Sequence, residues 1–185
     1  MKSLDRLLRA WRTRVALREM PTVADSVLDI GCGDGYLLRL IDARHREGID
    51  PTLPRNVEEK GVRLCSGHFP GDLARLALAG PYDAIFSLAV FEHLGSQELD
   101  EACAVLPNLL KPGGRLILTI PHPFVDRILE LLLLLRLIDG QAIEEHHGFH
   151  PDHLLDLTSD RLRLLSRSSF QLGLNNLFVF ERIND

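Results

Sequence analysis

Val27-Leu28-Asp29-Ile30-Gly31-Cys32-Gly33-Asp34-Gly35 joins a short apolar run to a glycine-dense turn, and the helical pattern Tyr36-Leu37-Leu38-Arg39-Leu40-Ile41 follows at once. Glycine takes positive φ without strain and lets a ligand lie against the main chain with no Cβ in the way. A strand entering such a turn, with a helix N-terminus behind it, makes a site for a nucleotide-like ligand at the carboxyl edge of a parallel sheet. The dinucleotide fingerprint requires a third glycine at position 36, where this chain has Tyr36. Its own pattern is Gly-x-Gly-x-Gly, with Asp29 two residues ahead of the first glycine. Taken alone, that pattern also reads as a tight structural loop.

Working outward, strand-like runs alternate with helical ones, as in a parallel sheet covered by helices on both faces. Strands are expected at about residues 26–30, 47–50, 62–65, 82–88 and 114–120, and helices near 35–44, 70–79 and 97–110. Beyond Pro121 a Leu-rich helix is expected from about Val125 to Ile138, then a His-rich loop through His146, His147, His150 and His153. Two last strands, about 161–167 and 176–182, flank Ser168–Gly173 and suit an antiparallel hairpin. The expectation is one α/β domain over residues 1–185 with a doubly wound, mainly parallel, seven-stranded sheet. Residues 1–20 form its N-terminal helix, and residues 122–153 form a substrate-side insert or lid.

Three further stretches stand where the ends of such strands meet. Glu47-Gly48-Ile49-Asp50-Pro51 places a carboxylate at the close of the second strand, about twenty residues past the glycine turn, where it can accept both hydrogen bonds of a ribose diol. Asp50-Pro51 also suits a helix N-cap with proline at the first position. In Tyr82-Asp83-Ala84-Ile85-Phe86-Ser87-Leu88-Ala89-Val90-Phe91-Glu92-His93-Leu94 a buried strand ends at Leu88, and the polar pair Glu92-His93 lies just beyond it. Leu109-Leu110-Lys111-Pro112-Gly113-Gly114-Arg115-Leu116-Ile117-Leu118-Thr119-Ile120-Pro121 reads as a helix stop, a turn and the fifth strand.

In this order and spacing the four stretches resemble the class I S-adenosylmethionine-dependent methyltransferases over roughly residues 26–121, a Rossmann-like fold. Val90–Leu94 and Leu110–Gly114 look most like the small-molecule branch of that superfamily. No Asn/Asp-Pro-Pro-Tyr/Phe box follows the fourth strand, which argues against methylation of amino groups on DNA bases or of protein glutamine. The resemblance implies S-adenosyl-L-methionine as cofactor, with S-adenosyl-L-homocysteine as product. The implied cradle is Asp29, Gly31, Cys32, Gly33 and Gly35, with Asp50 and Pro51 at the ribose and Leu88 and Ala89 after the fourth strand. Many relatives hold the adenine amino group with an acid after the third strand. Here Ser66-Gly67-His68-Phe69-Pro70 stands instead, which leaves adenine to backbone groups with His68 or Phe69 stacking, or to Asp72.

The implied reaction is in-line methyl transfer to a small-molecule acceptor, and the competing reading is a non-catalytic S-adenosylmethionine-binding protein of the same fold. Where the acceptor carries a proton, His122 is the preferred general base and His93 the second candidate, since both follow strands at the active edge. His122 stands between Pro121 and Pro123, whose rings restrict the backbone, although such a residue also suits a plain turn. The pair His146 and His150 has zinc-ligand spacing only on an uninterrupted helix, which Gly148 opposes, so no metal is expected.

Composition limits the rest. Of 185 residues, 45% are hydrophobic and 25% charged, an ordinary globular balance. The net charge of −5 argues against a nucleic-acid footprint, and no nucleic acid is expected as partner. The charge is uneven: residues 1–20 carry six basic and two acidic side chains, a balance of +4 that leaves about −9 for the remainder. Leu4, Leu7, Leu8, Trp11 and Val15 give that segment an apolar face, which reads as a helix packed on the domain or as a transit or membrane-surface helix. Three cysteines without framework spacing point to reduced thiols and a cytoplasmic setting. No stretch reaches the roughly 20 apolar residues of a transmembrane span, and a homo-oligomer is compatible with everything above.

Overall fold

A computed structural model describes residues 3–122 and 160–183. The Leu-rich segment at 125–138, the four histidines of the insert, and all of the 122–153 insert beyond His122 lie outside the described residues. Element order is α1 (Ser3–Leu17), β1 (Ser26–Ile30), β2 (His45–Asp50), β3 (Val57–Glu59), β4 (Val62–Ser66), α2 (Leu73–Leu76), β5 (Tyr82–Leu88), α3 (Ser96–Leu109), β6 (Leu110–Pro121), β7 (Leu162–Phe170) and β8 (Asn175–Arg182). The strands form one sheet in the order β3-β4-β2-β1-β5-β6-β8-β7.

Strands β4, β2, β1, β5 and β6 run parallel, β8 returns antiparallel to β6, and β7 closes the sheet as a hairpin with β8. The α/β class, the parallel centre and the closing hairpin thus follow the sequence reading. The sheet has eight strands rather than seven. The addition is β3, a three-residue antiparallel edge strand on β4, whose Val-Glu-Glu sequence is too short and too acidic to show a strand period.

Central strands bury both faces and so read as continuous apolar runs. One face of the sheet packs Leu28, Ile30, Ile85, Leu116, Leu118 and Phe180 with Leu106 of α3 and Phe91. The opposite face packs Val27, Ala84, Phe86, Ile117 and Val179 with Ala16 of α1, Leu38 and Ile41. Both faces are therefore covered, and the carboxyl ends of β1, β2 and β5 open at the same edge.

Two expected helices are much shorter than their patterns imply. Residues 35–44 hold only a 3₁₀ turn at Leu38–Leu40, and the backbone turns extended at Ile41, four residues before β2 begins at His45. Residues 70–79 hold one turn, Leu73–Leu76, which ends on Ala77 at φ 46°. The Lys111–Gly114 turn is instead an irregularity within β6: Tyr82 pairs with Leu110 and Ala84 with Arg115, so the intervening residues bulge out, with Gly113 at φ 74°.

A buried carboxylate braces the sheet beneath the site. Glu47 of β2 accepts a hydrogen bond from the Tyr82 hydroxyl at 2.5 Å, from the Ala79 amide at 2.8 Å and from Arg63 Nη1 at 2.8 Å. Burial and then this bond push the Tyr82 hydroxyl pKa well up. Tyr82→Phe is expected to cost about 1–2 kcal/mol, the loss of one buried charge-assisted bond. Urea unfolding at constant m-value measures it, and an unchanged midpoint would show that the bond adds no net stability.

Candidate cofactor site

The site is built where β1 stops. Gly31 donates its N–H to the Ile49 carbonyl at 2.8 Å, and Gly33 donates to Asp50 Oδ2 at 2.7 Å, which fastens the glycine loop to the end of β2. Asp50 Oδ1 also accepts the Thr52 amide at 2.8 Å and the Thr52 hydroxyl at 2.5 Å. The N-cap alternative for Asp50 is thus met only as a local turn, since no helix follows Pro51. Gly31 stands at φ 75°, and a Cβ there would lie 2.2 Å from Val90 Cγ2, so this position demands glycine. At Gly33 (φ 52°) a Cβ would meet nothing within 4 Å and would project into open space. Gly35, at φ 75°, is closed in by Leu64 and serves the turn.

Two cavities meet at Gly31. One, of about 350 Å³, is lined by Ile49, Asp50, Pro51, His68, Phe69, Ala89, Val90 and His93 among others. The second, of about 120 Å³, lies across the loop and is lined by Arg9, Arg12, Thr13, Asp29, Cys32, Gly33, Tyr36 and Leu88 among others. Of the residues expected from sequence to hold a cofactor, every one except Gly35 borders one cavity or the other. His93 borders the larger cavity, whereas His122 lines neither. His122 follows β6, with its amide donated to the Leu174 carbonyl at 2.8 Å. Asp72 is turned away from both cavities: its carboxylate accepts the His68 amide at 2.8 Å and an Arg75 bond at 3.2 Å, and the first of these most lowers its pKa.

Sequence reasoning missed the arginines. Of the apolar face expected in α1, Leu7 and Trp11 are exposed, at 64% and 44%, whereas Leu4, Leu8 and Val15 are half-buried and Val15 packs against the core. The helix packs on the domain as expected, with Thr13 and Ala16 buried and with Arg9 and Arg12 at the glycine loop. Arg9 pairs with Asp34 at 2.5 Å and lies over the Tyr36 ring at 4.4 Å. Burial pulls the Arg12 pKa down, against the attraction of Glu92, itself buried. A buried cation needs such partners to be tolerated. The charge of residues 1–20 was the available signal, but which arginines faced inward depends on acids distant in sequence.

Asp29 is 4% exposed, and burial followed by the nearby Asp50 charge pushes its pKa up to about 8. No hydrogen bond contributes to that shift. Burial, then Asp29 and Asp50, likewise raises the Cys32 thiol, which rules it out as a ready nucleophile.

The sequence profile of the "Methyltransferase domain" family matches residues 2–161. The chain belongs to that family, and with it to the class I S-adenosylmethionine-dependent methyltransferases. An uncharacterised methyltransferase of Geobacillus kaustophilus is 34% identical over 145 residues, covering 72% of this chain and 62% of that protein. A protein named tRNA U34 carboxymethyltransferase from Methylococcus capsulatus is 32% identical over 122 residues, covering 58% of this chain and 37% of that one. The matches therefore span less than two thirds of these relatives' own length. Among solved structures, the N-methyltransferase NodS from Bradyrhizobium japonicum with S-adenosyl-L-homocysteine shares the fold at TM-score 0.68 and 15% identity, over 95% of this chain and 87% of that one. A Pyrococcus horikoshii protein reaches TM-score 0.72 at 15% identity, over 97% and 92%.

These relatives correct one expectation. A small-molecule acceptor with no nucleic acid was the partner implied from sequence, yet several relatives carry a tRNA base in their names. The physical reason for the error is that a net charge is a sum, and −5 overall says nothing of local excess such as the +4 of residues 1–20.

The raised Asp29 pKa has a stability consequence. The folded protein keeps its proton to about pH 8, whereas the unfolded chain releases it near pH 4. Stability of the ligand-free protein therefore falls as pH rises across that window. Asp29→Asn should flatten the fall and raise the melting temperature at pH 8.5 relative to wild type, with little difference at pH 4. Equal losses for wild type and variant between those pH values would remove Asp29 as the cause.

Proposed function

We propose that this chain transfers a methyl group from S-adenosylmethionine to a nucleic-acid acceptor at the carboxyl edge of the sheet. The observation that carries the reading is the pair of cavities joined at Gly31, with the buried Asp29 on one side and Asp50 on the other. The donor set suits the cofactor. Asp29 would take the ammonium of its amino-acid end, and Arg12 with Arg9 the adjoining carboxylate. Asp50 would accept the ribose diol on the acceptor capacity left by Gly33 and Thr52. Phe69, Ile49 and Val90 supply apolar surface for the adenine, with His68 at the rim.

When bound, S-adenosylmethionine supplies a methyl carbon that passes in line from sulfonium sulfur to an acceptor atom, leaving S-adenosylhomocysteine. The chain's part is orientation, which is worth several kcal/mol in such a displacement. Where the acceptor is protonated, His122 and His93 are the proposed bases: His122 follows β6 at the carboxyl edge of the sheet but lines neither cavity, and His93 borders the larger one. The tRNA acceptor is taken from the relatives' names and from the basic character of α1.

The test uses bulk unmodified tRNA and tritiated S-adenosylmethionine, with S-adenosylhomocysteine affinity measured by calorimetry. Asp50→Ala should weaken that affinity by about 1.5–3 kcal/mol, the loss of a charge-assisted partner. His122→Gln should slow transfer by about 10²–10⁴-fold if a base is used. Binding of S-adenosylhomocysteine without transfer to tRNA would return the chain to a binding protein or to another acceptor class.

A further inference from the structure

A third concavity lies outside the two cavities, between α1 and the chain that follows the glycine loop. It measures about 400 Å³ and is lined by Ala10, Arg14, Leu17, Arg18, Tyr36 and Leu40. Two arginines line it and no acid does. Both are exposed, and no ion pair among the described residues involves either, in contrast to Arg9, which Asp34 occupies. Leu7, Trp11 and Arg14 recur at intervals of four and three residues on one outer stripe of α1, and Arg18 follows in the turn just past the helix end.

The stripe is chemically mixed in a way that plain solvation does not require. Leu7, Trp11 and Leu40 are 64%, 44% and 54% exposed, so apolar and aromatic surface alternates with guanidinium. Arginines that read phosphates beside aromatics that stack bases are the two components of a single-strand binding surface. Arg14, in the last turn of α1, and Arg18, in the turn that follows, line the same groove, so two guanidiniums face one concavity. Tyr36 borders both this groove and the Asp29 cavity, so a strand lying in the groove runs up against the glycine loop.

We propose that the groove between α1 and residues 36–40 binds the sugar–phosphate backbone of a single-stranded segment of the nucleic-acid acceptor, with Arg14 and Arg18 on phosphates. The inference rests on the nucleic-acid reading of the function and adds its docking surface. Trp11, exposed on α1 outside the groove lining, offers ring surface to a base, whereas Tyr36 lines the groove with Arg9 over its ring. Charge complementarity selects this occupant, because the groove's positive charge is not met by the acidic remainder of the chain. A bilayer surface would call for a continuous apolar face, and on α1 Ala16 is instead buried against the sheet.

The test measures binding of the whole chain to a fluorescein-labelled ten-nucleotide oligouridylate and to unmodified tRNA across a salt series. Fluorescence of Trp11, the sole tryptophan, is a second readout. The double variant R14Q/R18Q should bind both RNAs at least tenfold more weakly and flatten the log–log salt dependence by about 1.4, two single-strand phosphate contacts. Its affinity for S-adenosylhomocysteine should equal wild type, which certifies the fold, and R14K/R18K should retain the salt slope. Wild-type affinity and slope in R14Q/R18Q would overturn the groove while leaving a nucleic-acid acceptor in place. A wild-type chain that binds neither RNA would overturn both readings. Wild-type binding to phosphatidylserine vesicles in place of RNA, lost in R14Q/R18Q, would identify a membrane surface and overturn the groove as well.

Discussion

The hydrogen bond from the Gly33 amide to Asp50, with the Gly31 amide on the Ile49 carbonyl, is the constraint on which the rest of the site depends. Two parallel strands, β1 and β2, lie side by side in register from Ser26–His45 to Ile30–Ile49. The connection between them must leave one strand end, turn back and enter the other within residues 31–44. Anchoring the loop to the end of β2 fixes where its backbone passes, and that path divides the sheet edge into two cavities. Asp29 is buried beside this path, and burial first, then the Asp50 charge, pushes its pKa up to about 8. In the proposed cofactor site, a ligand that brings a cation to Asp29 would offset that burial.

Much of this was legible in the residues. The apolar run before Gly31, the spacing to Asp50, and the buried strand that ends at Leu88 each report a local requirement of the backbone, and such requirements are written in consecutive residues. What failed to show is what depends on distant parts. The pattern at 35–44 has helical periodicity, yet only Leu38–Leu40 coil, and the backbone turns extended at Ile41. In α1 the apolar residues show which side can pack, but not that Arg9 and Arg12 meet acids: Asp34 and Glu92 lie 25 and 80 positions away.

The placement of α1 links fold to proposed function. Arg9 and Arg12 line the smaller cavity, and Arg14, with Arg18 just past the helix end, lies outward beside Tyr36. One helix thus supplies the amino-acid end of the proposed cofactor site with one side and the proposed strand-binding groove with the other. A summed charge of −5 hides both, because the excess acids lie elsewhere in the chain.

The central claim is that a single ligand spans both cavities across the glycine loop. Amide and arginine side-chain resonances followed by nuclear magnetic resonance during titration with S-adenosylhomocysteine test it most directly. Gly31, Gly33, Asp50 and Phe69 are expected to shift together with the Arg12 Nε resonance, at one common affinity, and NAD to produce no such set. Shifts confined to one cavity, or two sets saturating at different concentrations, would contradict it.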